Sequence, residues 1–297
     1  MILELELKYP YSFEKTTHRL RFFEKSSYIY REGVFTRTLM GKRGPLIISI
    51  SRHPAKPALC VKVEGETDPG EVEHLSERLR RMFSTEVDLT PFYRQMREDS
   101  RMGEVVRQRE GMHIVLDPSV YECLVKTIIG QQLNISFAAT LLKRFIQLAG
   151  EKVEFAGEIL SVFPSPEQVA RLAYEDLQQL QFNRRKAEYI IDISRQVADG
   201  KLDLECMYDQ SDQEVAETLL PIRGVGRWTV ECVMLFGLGR PDLLPAADIG
   251  LRNAVRKVYD LAEQPIEDKV RELGEPWSPF RSYATFYLWD TLSATSS

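Results

Sequence analysis

The apolar pattern of the chain changes period once, near Asp117, and that change constrains the fold more than any other feature. Before it, the runs RLRFF, SYIYREGVFTRTLM, PLIISIS and ALCVKVEG are short, β-branched or aromatic, and separated by Gly, Pro and charged turns, the pattern of strands. One helix follows them. DPGEVEHLSERLRRMF places Asp68 as N-cap, Pro69 at the first helical position and Glu71 at the capping-box position, with Val72, Leu75, Leu79 and Phe83 at helical spacing. After Asp117 strand signals disappear. DPSVYECLVKTIIGQQ, NISFAATLLKRFIQLAG, SPEQVARLAYEDLQQL and RRKAEYIIDISRQVADG read as successive helices, the third capped by Ser165 with Gln168 and the last stopped by Gly200. SDQEVAETLL is a further capping box, from Ser211 to Glu214. The expected fold is α+β: a strand-rich α/β N-terminal domain over residues 1–112, then an all-helical domain over 113–297.

With 297 residues and 43% hydrophobic content the chain can fill a full core. Its opening, MILELELKYPYSF, alternates apolar and acidic residues and reads as a β-strand; it resembles neither a signal peptide nor a membrane span, so the expectation is a cytoplasmic protein. Cys60, Cys123, Cys206 and Cys232 lack C-x-x-C spacing, which disfavours zinc, iron–sulfur and disulfide frameworks. His18, His53, His74 and His113 are isolated, and nothing marks them as catalytic. A net charge of −5 argues against a general nucleic-acid coat. Residues 223–256 nevertheless hold five arginines against three acids, which permits a local contact with phosphates.

Within that stretch, IRGVGRWTVECVMLFG sets two glycines one residue apart before a helix-forming run. A dinucleotide fingerprint needs a preceding strand and a third glycine, where Thr229 stands, and the P-loop is absent. What remains is a helix at 211–220, the turn PIRGVG and a second helix from about Arg227. Backbone N–H groups of such a turn and of the following first helical turn point outward unpaired. They form an anion site, with Gly224 and Gly226 permitting positive φ and close approach of a phosphate. Spacing alone is equally compatible with a plain αα-hairpin.

LLPIRGVGRWTVECVML closely resembles the helix-hairpin-helix of the DNA glycosylase superfamily, and LLPAADIGLRNAV supplies Asp248 at the separation where that family has its essential aspartate. YECLVKTIIGQQLNISFAAT, NRRKAEYIIDIS and WSPFRSYATFYLW extend the likeness over residues 117–297, closest to the alkylbase subgroup. The resemblance implies a hairpin at about 211–237 that binds duplex DNA through the backbone of Gly224, Val225, Gly226, Arg227 and Thr229. It also implies a monomer that acts on damaged bases without a membrane partner. In the family the hairpin's carbonyls can hold a monovalent cation; no other cofactor is expected, and no side chains mark a metal site.

The same resemblance makes Asp248 the group that stabilises an oxocarbenium-like sugar, although an Asp at this place is also a good helix N-cap. Strand-cutting members usually carry a nucleophilic lysine where this chain has Trp228, so a monofunctional enzyme using water is expected. Trp228 offers an indole face to a cationic alkylpurine. Trp277 and Phe280, with Tyr283, complete a candidate base pocket, though the i, i+3, i+6 stripe equally suits a core. Cys232 stands where the subgroup pattern suggests a second aromatic, and Arg252 is unassigned. The loop GQQLN supplies the expected wedge for the gap left by a flipped base, in Gln131, Gln132 or Leu133. Two alternatives remain: an oxidised-base glycosylase with lyase activity, and a non-catalytic DNA-binding module.

Overall fold

The computed structural model describes residues 1–20 and 28–293. Its first part is one antiparallel sheet of β1 (Ile2–Glu6), β2 (Tyr28–Arg31), β3 (Val34–Gly41), β4 (Gly44–Arg52) and β5 (Ala58–Glu64), in the order β1-β5-β4-β3-β2. The opening segment is therefore an edge strand, paired with β5 from Ile2 opposite Lys62 to Glu6 opposite Ala58. α1 (Phe13–His18) follows it, and Arg19 and Leu20 continue as a helical turn rather than the strand expected from RLRFF. Residues 21–23 of that run, and Ser27 of the next, lie outside the described residues.

Alternation puts Phe35, Ile48, Ile50, Leu59, Val61 and Val63 on one buried face. α2 (Pro69–Met82) covers it with Leu75, Leu79 and Met82. Asp68 caps α2 as expected, accepting from Glu71 N at 2.9 Å. Glu71 does not complete a capping box, because its carboxylate accepts from Lys42 N at 2.5 Å and so ties the helix to the β3–β4 turn.

The remainder is α3 (Thr90–Met96), α4 (Ser100–Arg109), α5 (Val120–Gly130), α6 (Ile135–Ala149), β6 (Lys152–Phe155), β7 (Glu158–Ser161), α7 (Pro166–Ala170), α8 (Tyr174–Gln179), α9 (Arg184–Ala198), α10 (Asp212–Leu219), α11 (Arg227–Cys232), α12 (Ile249–Val258), α13 (Glu267–Gly274) and α14 (Arg281–Ser293). Two differences from expectation appear. The β6–β7 hairpin interrupts the helices; Ala156 and Gly157 at its tip both have positive φ, the tight hairpin turn that suits the twist of two strands. The hairpin meets the large sheet, where Thr38 Oγ1 donates to Ser161 O at 2.9 Å and Arg31 pairs with Glu158. SPEQVARLAYEDLQQL forms two short helices, because Asp176 accepts from Ala173 N and starts a second one.

Two cores support the helices. α5, α6 and α9 enclose one, built on Leu124, Ile128, Phe145, Ile190 and Ile191. The other joins Phe92, Tyr93, Met102 and Val106 of α3 and α4 to Leu251, Val255, Tyr287 and Leu288 of α12 and α14. α11 runs into a wider π-helical turn, Val233–Gly237, that feeds Val233 and Met234 into the first core and Leu235 into the second. The start of α11 and the start of α12 are thus held where the two cores meet.

Candidate functional site

The hairpin forms as read. Ser211 and Glu214 make the capping box of α10, and Val225, 7% exposed, pins the turn to the first core. Gly224 has φ +90°, and a Cβ there would stand 2.2 Å from the Tyr189 ring, so both conformation and space demand glycine. Gly226 differs from expectation: its φ is −108°, within reach of any residue, and a Cβ there would meet nothing within 4 Å. Room is left at that position by the chain itself. The first intrahelical hydrogen bond runs from Val230 N to Gly226 O at 3.0 Å, so the N–H groups of Arg227, Trp228 and Thr229 head the helix without intrahelical acceptors.

Side chains of the hairpin are mostly engaged within the protein. Arg227 is exposed and reaches Glu267 at 3.4 Å, a surface pair weak enough to exchange for a phosphate. Thr229 is 2% exposed; its hydroxyl accepts from Gln131 Nε2 at 2.9 Å, leaving only its backbone for an outside ligand. Gln131 Nε2 also donates to Gly224 O at 2.9 Å, so this residue braces the loop against the hairpin. Lys186, which the residue pattern did not single out, supports the same loop: its buried ammonium donates to Ile129 O at 2.7 Å and Gln131 O at 2.6 Å. Desolvation lowers its pKa to about 8. Leu133 packs partly into the first core. Gln132 alone of the three wedge candidates is exposed, and its φ is +56°.

Asp248 is the N-cap of α12, as its position suggested, and more. Oδ1 accepts from Leu251 N at 2.7 Å and from Trp289 Nε1 at 2.9 Å, while Oδ2 accepts from Trp228 Nε1 at 3.0 Å. Three segments, α11, α12 and α14, therefore converge on one half-buried carboxylate. An ionised carboxylate has about four acceptor positions. Three are taken, and the open one is on Oδ2.

Trp277 and Phe280 are not brought to this site. Trp277 is 1% exposed and lies in the second core with its ring 6.5 Å from Tyr259, where Gly274 leaves room for it; Phe280 packs 6.0 Å from Phe92. The stripe is core, and the aromatic partner of Asp248 from this segment is Trp289. Cys232 is a buried thiol, its pKa pushed up by burial. Arg252 Nε donates to Pro265 O at 2.6 Å and serves the α12–α13 connection. Two cavities, of about 420 and about 360 Å³, lie along α2 and include none of Asp248, Trp228 and Trp289.

Glu231, on α11 between Trp228 and the π-helical turn, carries a carboxyl that burial pushes up to about 7, with Glu267 and Asp248 adding to the rise against Arg271 and Arg227. The unfolded group titrates near 4.3. Between those values the folded state binds the extra proton, so this contribution to stability is complete on the acid side and lost as pH rises through about 7. Glu231→Gln should therefore gain on the wild type in Tm as pH is raised from about 5 to about 8. A difference in Tm independent of pH would show that Glu231 does not titrate in this range.

Comparisons with known proteins bear on the family and the fold. Residues 125–279 match the family described as "HhH-GPD superfamily base excision DNA repair protein". The chain is 38% identical over 95% of its length to a putative DNA-3-methyladenine glycosylase of Bacillus subtilis, covering 96% of that protein. The structure of a 3-methyladenine DNA glycosylase from Archaeoglobus fulgidus superposes with a TM-score of 0.87 at 26% identity, over 99% of both chains. A Schizosaccharomyces pombe 3-methyladenine DNA glycosylase bound to abasic DNA superposes with a TM-score of 0.61 at 28% identity, over 70% of this chain and 99% of that one.

Proposed function

The chain belongs to the HhH-GPD superfamily of base excision DNA repair proteins, and we propose that it is a monofunctional DNA glycosylase that removes alkylated purines, such as 3-methyladenine and 7-methylguanine, from duplex DNA. The observation that carries this reading is Asp248, held by two indoles and a helix N-terminus with one acceptor position left on Oδ2. A carboxylate so fixed suits the charge that appears on deoxyribose as the C1′–N bond lengthens, and it needs no reorganisation when the charge appears. The electron pair of that bond leaves with the base. Water then bonds to C1′, and its proton passes to Oδ2 or to solvent.

The backbone of Gly226 to Thr229 takes the DNA phosphate, in the open space beside Gly226. A monovalent cation suits the turn carbonyls: those of Ile222 and Gly224 each accept one hydrogen bond within the chain, from Val225 N and Gln131 Nε2, and keep a second lone pair. Such an ion would bind beside the phosphate, and the chemical step does not run through it. Trp228 in place of a lysine leaves no amine there to form a Schiff base, which favours hydrolysis over strand cutting.

Gln132 is the residue assigned to fill the gap in the duplex, since Gln131 and Leu133 are engaged elsewhere. Gln132→Ala should slow base release from duplex DNA about tenfold, because unstacking the target costs a few kcal/mol that a wedge partly offsets. Release from single-stranded DNA, which has no stack to refill, should change little; equal losses on both would remove the wedge role. The function itself is tested by incubating the protein with methylated duplex DNA, with and without borohydride. Free 3-methyladenine or 7-methylguanine and no covalent adduct is the expected result. A trapped adduct would point to the lyase, and no release to a binding module.

A further inference from the structure

Lys186 is 6% exposed, on the first turn of α9, and among the described residues its ammonium has no carboxylate partner. Main-chain oxygens hold the charge instead: Nζ donates to Ile129 O at 2.7 Å and to Gln131 O at 2.6 Å. Neither oxygen accepts a backbone N–H among the described residues, since both stand at the end of α5, where a helix leaves its last carbonyls unpaired. A buried cation without a counter-ion carries a desolvation penalty that an apolar side chain of the same length would avoid. What the ammonium adds is geometry. Gln131 O belongs to the peptide that joins Gln131 to Gln132, so its bond to Nζ fixes the plane of that peptide. On the other side of the same residue, Gln131 Nε2 donates to Gly224 O and to Thr229 Oγ1, both at 2.9 Å. Gln131 is thus anchored by main chain and side chain together, and the residue after it, Gln132, is exposed with φ +56°. A glutamine enters that left-handed region rarely and stays there only where its surroundings hold it.

We propose that Lys186 is a positioning residue, which touches neither the base nor the reacting atoms and holds the peptide before Gln132 so that this side chain is already presented to the gap a flipped base leaves. The proposal rests on the assignment of Gln132 to that gap. Its physical content is pre-organisation. A loop free to leave the left-handed conformation would have to be ordered each time a base left the stack, and that ordering would be subtracted from what the inserted side chain returns. With Lys186 in place the order exists before DNA arrives. Gln131 carries it to the hairpin, so the segment proposed to enter the duplex and the backbone proposed to take its phosphate keep one fixed separation.

The test is single-turnover release of 7-methylguanine from duplex and from single-stranded DNA by the full chain, by Lys186→Met, by Lys186→Arg, and by Lys186→Met combined with Gln132→Ala. Lys186→Met keeps an unbranched stem and removes the donors; it should slow release from the duplex about tenfold, as Gln132→Ala does, and leave release from single strands within about twofold. The double variant should be no slower than Gln132→Ala alone, because both changes remove one effect. Lys186→Arg, which keeps a cation and its donors, should recover part of the duplex rate. Amide hydrogen exchange at residues 131–134 should be faster in Lys186→Met than in the wild type, a readout that needs no activity. Equal losses on duplex and single strands, or losses that multiply in the double variant, would assign Lys186 to general stability and overturn the proposal, as would unchanged exchange in the loop. If Lys186→Met does not fold, Lys186→Gln supplies the same comparison. Gln132→Ala that slows both substrates alike removes the wedge assignment and this proposal with it; wild type that releases no alkylated base overturns the glycosylase reading as well.

Discussion

Asp248→Asn should leave a folded protein that binds abasic-site DNA at least as tightly as the wild type and releases alkylated bases on the order of 10² to 10³ times more slowly. Asparagine caps a helix about as well as aspartate, so the Leu251 contact and the start of α12 survive. The amide has one oxygen for three donors, however. Whichever way it turns, an NH₂ group faces Leu251 N and Trp289 Nε1 or faces Trp228 Nε1, and at least one indole N–H loses its acceptor. That costs about 1–3 kcal/mol of stability and is visible as a modest fall in Tm. On the proposed mechanism catalysis loses far more, because the open acceptor position on Oδ2 is the one assigned to the developing charge. DNA affinity should hold or rise, since a negative charge near phosphates is gone. A non-catalytic module predicts a different pattern, with binding and every downstream readout preserved. Excision by the variant within tenfold of wild type would remove Asp248 from the chemistry.

Much of this site was legible in the sequence because its critical parts are local. Glycine spacing, the Ser211 cap and the Asp before IGLRNAV are all short-range patterns with a backbone meaning, and α10, α11 and α12 form where those patterns place them. The residues that complete the site are not local. Trp289 lies 41 positions beyond Asp248, on a helix where Tyr283, Phe286, Tyr287 and Leu288 are all buried, so no single apolar face distinguishes the tryptophan that turns toward the carboxylate from Trp277, which does not. Gln131 and Gln132 are the same residue type side by side. Only the backbone separates them, one capping α5 and reaching the hairpin, the other at positive φ and exposed. The β6–β7 hairpin escaped because four-residue strands with Ala156 at a positive-φ turn position carry too short an alternation and an unusual turn residue.

The two hairpin glycines, alike in the sequence, should respond in opposite ways to the same substitution. Gly224→Ala meets a double obstacle: φ +90° disfavours any side chain, and its Cβ would fall 2.2 to 2.5 Å from three carbons of the Tyr189 ring. The ring has little freedom to retreat, since Arg223 lies 5.3 Å over it and is itself tied to Glu188 at 2.8 Å. The turn must shift instead, which pulls Gly224 O from Gln131 Nε2 and loosens the 130–134 loop together with the hairpin, the segments proposed to meet the DNA. Strain of about 1–3 kcal/mol should appear as lost Tm, and excision should fall by about two orders of magnitude as positioning is lost. Gly226→Ala has neither obstacle, for its φ is −108° and no atom of the chain lies within 4 Å of the added carbon. Its Tm should match wild type. If the open space beside Gly226 is where the DNA backbone rests, the added methyl should still cost about tenfold in affinity, on damaged and undamaged duplexes alike, because phosphate contacts carry no sequence information. Melting curves and DNA titrations of the two variants separate the roles. Loss of affinity without loss of Tm in Gly226→Ala places the phosphate in that space, and wild-type affinity there would show that the duplex approaches the hairpin from another side.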